Sequence, residues 1–111
     1  RADMIAAGWS PSVRLFEAAA CGTPIVSDHW RGLDELLPHG EAIIIAHGTD
    51  DVVAALSQTS DARRQELAAS ARSRVLAGHT GLARAQELVA ALLALQPQAR
   101  VEHPGQHRIS A

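Results

Sequence analysis

Two spacings of apolar residues alternate along the chain, and each change of spacing marks an element. In residues 13–20, Val13, Leu15, Phe16, Ala19 and Ala20 fall on one broad face at about 100° per residue, which predicts an amphipathic helix. Ser10 is placed to cap it, Pro11 to occupy its first position and Gly22 to follow its end. Thr23-Pro24 breaks the pattern. Ile25-Val26-Ser27 is then short and apolar, as a buried parallel strand would be. Asp28-His29-Trp30-Arg31-Gly32 reads as a loop, residues 32–37 as a short helix, and Pro38-His39-Gly40 as a turn. Ala42-Ile43-Ile44-Ile45-Ala46 is the clearest strand.

Beyond residue 48 the pattern is helical throughout. Thr49-Asp50 caps a helix to about Ser57, and Ser60-Asp61 caps a second from Ala62 to about Ala77, with Leu67, Ala71 and Val75 on one stripe. Gly78-His79-Thr80-Gly81 is a break. A last helix, Leu82 to about Leu95, carries a wide apolar face that includes Leu88, Val89, Leu92 and Leu93. Residues 1–8 are too few for more than a short helical turn or loop. The folded part is thus expected to span 1–95, with 96–111, rich in Pro, Gln and His and without periodicity, expected to be a disordered tail.

Alternating α and β elements with short apolar strands predict an α/β fold with a parallel sheet, ending in a helical segment. Two strands cannot make a sheet that buries both faces. At least one more strand is expected before residue 1, making this the C-terminal part of a larger α/β domain. The start at Arg1 rather than Met agrees with that expectation.

Composition narrows the function classes. Of 111 residues, 47% are hydrophobic but only 3% aromatic, so the core must be built from Ala, Leu, Val and Ile. All ten basic residues are arginine, and Lys, Asn and Tyr are absent, a bias expected of a GC-rich, bacterial coding sequence. The net charge of −2 is interspersed, which argues against nucleic acid or an anionic membrane surface as partner. No apolar run approaches transmembrane length, and no signal-peptide pattern is visible. A single cysteine excludes an internal disulfide and suits a cytoplasmic location.

Candidate chemistry follows from the topology. Open α/β sheets bind ligands beyond the carboxyl ends of their strands, where helix N-termini also point. The turn Gly8-Trp9-Ser10-Pro11-Ser12 would present free N–H groups, including those of Ser12 and Val13, to such a crevice, an arrangement suited to a diphosphate. Glu17 follows about a turn and a half later, within reach of the hydroxyls of an adjoining ribose. The plainer alternative makes Glu17 a solvated residue or the partner of Arg14 at i−3.

The run from Gly8 through Asp28, with Ser10-Pro11-Ser12, Arg14-Leu15-Phe16-Glu17 and Cys21-Gly22-Thr23-Pro24, followed by Gly32-Leu33-Asp34-Glu35, resembles group 1 glycosyltransferases, most closely their CgeB-like branch. His79-Thr80 and Arg84-Ala85 resemble that branch's closing H-T-x-x-x-R-A segment. The resemblance covers about residues 1–95. It implies the GT-B architecture, two Rossmann-like domains across a cleft, with this segment in the C-terminal domain that holds a nucleotide-diphosphate sugar. An N-terminal domain, an acceptor of unknown identity and metal-independent transfer are implied with it. In the family's E-x7-E motif, Glu17 takes the place of the ribose-binding glutamate, while the donor-sugar glutamate is replaced by Trp9. Ser10, Pro11, Ser12 and Val13 take the place of the phosphate-facing turn. Arg14, His29, Gly32 and Glu35 are further cleft-lining candidates. The departure at Trp9 leaves open a nucleotide-sugar-binding module without catalysis, and the last helix an α/β interaction fragment.

Other constellations carry less. His103 and His107 are separated by Pro104-Gly105 and cannot form a helical metal pair. Cys21 is expected to be a small buried helix residue. Asp34 and Glu35 are adjacent in a first turn, where they suit the helix dipole rather than acid–base pairing.

Overall fold

The computed structural model describes residues 2–9 and 11–95. Ser10, the expected cap, and the expected tail 96–111 lie outside the described residues. The elements are α1 (Ala2–Ala7), α2 (Val13–Ala20), β1 (Val26–Asp28), α3 (Leu33–Leu36), β2 (Ile44–Ala46), α4 (Thr49–Gln58), α5 (Asp61–Gly78) and α6 (Gly81–Ala94). The strands pair in parallel, with Val26 opposite Ile44 and Asp28 opposite Ala46, as the α/β alternation predicts. The ladder is shifted toward the C-terminal side of the predicted strands: it takes in Asp28, expected in the loop, while Ile25 only accepts a bond from Ile44 N–H (3.0 Å) and Ile43 makes an isolated bridge with His39.

Helix α2 starts later than its sequence pattern suggests. Ser12 is the N-cap, in extended backbone (φ −68°, ψ 138°) and without a side-chain capping bond, and Pro11 precedes the helix. Val13 is 68% exposed and does not join the apolar face, which begins at Leu15 and Phe16. The far end is as predicted. Gly22 has φ 69° and donates to Ala19 O, while Thr23 N–H reaches back to Ala18 O, both at 2.9 Å. This pair of bonds satisfies the last carbonyls and turns the chain toward β1. Cys21 is the C-cap and is exposed, not buried, because the turn rotates it away from the core face.

A two-stranded sheet cannot enclose a core, and α5 supplies the missing wall. Ala71 and Val75 of α5 join Ala19, Trp30, Leu33, Leu37, Ala42, Ile43 and Ile45 in one buried cluster, flanked by Phe16 and Ala20. Leu33 and Ile43 are fully buried, each contributing about 1.5–3 kcal/mol of transfer free energy. Ala19 and Ala71, both 0% exposed, are small enough to let α2 and α5 approach closely. Polar contacts set their orientation: Arg72 Nε donates to Ala20 O at the end of α2 (3.1 Å), and Arg74 pairs with Glu41 (2.8 Å). Ser60 caps α5 through Arg63 N–H, as predicted.

The His79-Thr80 segment is a joint. His79 N–H closes α5 on Val75 O (2.9 Å), and Thr80 Oγ1 caps α6 through Ala83 N–H (3.2 Å). The His79 ring tilts against Phe16, with centroids 5.5 Å apart, and its Nδ1 faces the Arg84 guanidinium. Desolvation, and then the Arg84 charge, hold the imidazole below its ordinary pKa of 6.5, with Glu87 opposing. Helix α6 contacts α5, yet none of its residues is buried, and Leu82, Leu88, Val89, Leu92, Leu93 and Leu95 are exposed.

Two outcomes are expected. Ala71→Leu overpacks the α2–α5 contact and lowers stability by about 1–3 kcal/mol in chemical denaturation. Folding depresses the His79 pKa, so the neutral ring's contribution is present above the ordinary 6.5 and lost as pH falls below it. Lowering the pH from about 7.5 to about 5.5 should therefore reduce the melting temperature more in the native chain than in His79→Gln. Parallel slopes for the two proteins would contradict the role of the ring.

Candidate functional site

The candidate site is built where α2 begins and β1 ends. Because the short turn after Gly22 sends the chain back, α2 runs against β1, and its N-terminus lies at the strand's carboxyl end. Ser12 and Asp28 accordingly line one cleft of about 580 Å³, together with Arg14, Ala18, Val26 and Trp30. Met4 and Ile5 of α1 form its outer wall. Arg14 is the cleft's cationic wall and Asp28 its anionic one. Ser27 Oγ donates to the Asp28 carboxylate (3.2 Å).

Two loops are tied together at the cleft's end. Trp9 N–H donates to Arg31 O (2.8 Å), and Arg31 Nη2 returns a bond to Ala7 O (3.3 Å). Trp9 has φ 50°, a left-handed conformation uncommon for a bulky residue. Its indole lies against Gly32, whose own φ is 101°. A Cβ at Gly32 would fall 2.6 Å from the indole carbons, so only glycine allows both the backbone angle and the stacked ring.

The remaining candidates are distributed around this frame. Ser12 and Val13 are exposed at the mouth of α2, and Pro11 is half-buried ahead of it. Glu17 is exposed one turn beyond Val13 and outside the lining of the cleft, on the neighbouring strip of the helix. It makes no ion pair with Arg14 or any other described residue. The wheel angles account for this: Leu15, Phe16 and Ala19 face the core, Arg14 and Ala18 the cleft, and Val13 and Glu17 solvent.

His29 belongs to a different cleft. It lines a space of about 700 Å³ bounded by β2, α4 and α5, where its ring lies 5.3 Å from that of His47. The parallel register dictates this, because Asp28 pairs with Ala46 and the next residues are His29 and His47. Sequence inspection missed His47, and only the pairing register could have found it. Glu35 is exposed on α3 and lines neither cleft, while Asp34 accepts from His39 N–H (2.6 Å) and so braces the turn after α3. His39 Nδ1 accepts from Ile45 N–H (2.9 Å), which makes it structural. Among the described residues, no three His, Cys, Asp or Glu side chains form a group that could hold a metal. No described helix is long and apolar enough to cross a membrane.

Residues 3–90 match the model of a family described as glycosyl transferase-like, a span that takes in both clefts and most of α6. No curated protein and no solved structure matches the chain. The parallel α/β arrangement is that of a Rossmann-like glycosyltransferase segment.

The geometry of the two tied loops makes one outcome sharp. Gly32→Ala must strain φ 101° and displace the Trp9 ring, lowering stability by about 1–3 kcal/mol. Thermal melts of the variant, with tryptophan emission as a second signal, measure both consequences.

Proposed function

Because the chain belongs to the glycosyl transferase-like family, we propose that it forms the donor-binding part of a group 1, GT-B enzyme of the CgeB-like branch. The donor is a nucleotide-diphosphate sugar. Its diphosphate lies at the mouth of α2, where the backbone N–H groups of Ser12 and Val13 and the helix dipole favour an anion. Arg14, on the cleft wall, adds positive charge beside it. Glu17 accepts hydrogen bonds from the ribose hydroxyls. The observation that carries this assignment is the state of Glu17: an exposed carboxylate, one turn past the helix start, with no partner among the described residues.

In the transfer, an acceptor oxygen bonds to the anomeric carbon and loses its proton. The bond from that carbon to the β-phosphate oxygen breaks, and its electron pair stays on the diphosphate. Stabilising this developing charge is the main electrostatic task, and donors fixed in advance do it at least reorganisation cost. Helix amides and guanidinium groups serve without a divalent metal. The opposite wall of the cleft and the acceptor site belong to an N-terminal domain, so the present segment alone has no transferase activity. The arginine-only basic composition and single cysteine fit a bacterial, cytoplasmic enzyme.

A second role, sugar-nucleotide binding without turnover, draws on Trp9, which stands where the family motif has its donor-sugar glutamate. Titration calorimetry of the complete protein with UDP, GDP and their sugars, followed by an assay of donor hydrolysis and transfer, separates the two. Binding with turnover supports the enzyme, and binding alone supports the module. Glu17→Ala is expected to weaken nucleotide affinity by about 1–3 kcal/mol, the scale for losing a charged acceptor. Unchanged affinity in a folded variant would reject the ribose role.

A further inference from the structure

Parallel pairing leaves two histidines side by side with no task in the donor cleft. Asp28 ends β1 and Ala46 ends β2, and the two are partners in the ladder, so His29 and His47 leave the sheet together. Their rings have centroids 5.3 Å apart and planes inclined by 30°. Both residues are exposed, and both line the cavity of about 700 Å³ beside α4 and α5. Among the described residues neither ring has a hydrogen bond or ion pair. His39 and His79 differ in this respect, because Ile45 N–H and the Arg84 guanidinium engage their ring nitrogens. Asp51, in the first turn of α4, accepts from His47 N–H (2.8 Å) and lines the same cavity. It holds the backbone that carries one ring and places a carboxylate near the pair.

We propose that His29 and His47 form a two-imidazole clasp for a late first-row divalent cation, Zn²⁺ or Cu²⁺, across the ends of β1 and β2. The spacing carries the assignment. A ligating ring nitrogen sits about 2.0–2.1 Å from such an ion, and two imidazoles at a tetrahedral angle then have ring centres roughly 5 Å apart. The observed 5.3 Å matches, so the strand ends already hold both rings at the separation that one ion requires. Imidazole nitrogen selects zinc and copper over the oxygen-seeking Mg²⁺ and Ca²⁺, and copper binds the more tightly of the two. Among the described residues no third side chain completes a ligand group, so water fills the remaining positions on the ion. Neither histidine lines the donor cleft, which makes the ion a brace and not a participant in glycosyl transfer. It pins the loop that starts at His29 to the end of β2, and that loop carries Arg31, the partner of Trp9. The clasp requires no nucleotide.

The test strips the complete protein of metal with a chelator, then titrates it with Zn²⁺ alone by calorimetry and with Cu²⁺ alone by electron paramagnetic resonance. Zn²⁺ should bind and raise the melting temperature, Mg²⁺ should do neither, and the Cu²⁺ spectrum should show coupling to two imidazole nitrogens. His29→Gln and His47→Gln should each weaken Zn²⁺ binding by about tenfold or more, since losing a ligand costs at least as much as losing a partner that orients one. Changing both His103 and His107 to Gln, the other closely spaced pair in the sequence, should leave the affinity unchanged. Because His29 and His47 are exposed, each single variant should melt like the native chain in metal-free buffer. Should one fail to fold, the other decides. Zn²⁺ binding that survives in a folded His29→Gln or His47→Gln variant overturns the clasp. So does a native protein that takes up neither ion at about 1 mM.

Discussion

The structure depends on the contact of two alanine-bearing helices. A parallel pair of three-residue strands has no means of covering its own faces, and the apolar side of α2 needs a partner. Helix α5 provides it, because Ala71 and Ala19 are both fully buried in one cluster and are small enough for the helices to approach closely. Close approach through small residues gives a contact with little freedom to slide, since interiors pack at near-crystalline density. Arg72 then fastens the end of α2 and Arg74 fastens Glu41 before β2. The direction of α2, and with it the aim of its N-terminal amides, is decided more than fifty residues away in sequence.

A second constraint acts at the other end of α2. The loop before it and the loop after β1 are joined by paired backbone and side-chain bonds between Trp9 and Arg31 and between Arg31 and Ala7. Three left-handed residues, Gly8, Trp9 and Gly32, accommodate this joining. The core packing thus orients the helix, and the tied loops shape its mouth. Neither would leave a defined cleft without the other.

Much of this was legible in the chain. The Gly22 turn, the Ser60 cap, the Leu67–Ala71–Val75 stripe and the parallel α/β order all follow from local rules, and each is present. What misled was long-range. Pro11 is a good first helical residue, but the helix begins after it, with Ser12 in extended backbone as the N-cap. Cys21 has a buried residue's composition, but the turn exposes it. The position of His29 after β1 makes it a cleft candidate, yet the pleat carries it to the other face beside His47. The apolar face of α6 was plain from its periodicity, but periodicity does not say what covers it.

The sequence by itself determined the elements and their order, because caps, breakers and hydrophobic period act over a few residues. Tertiary structure alone decided that Glu17 stands without a partner among the described residues, that His79 is a packed joint between α5 and α6, and that Trp9 is braced and half exposed. Those properties depend on which distant atoms occupy the surrounding space, and no local pattern encodes them.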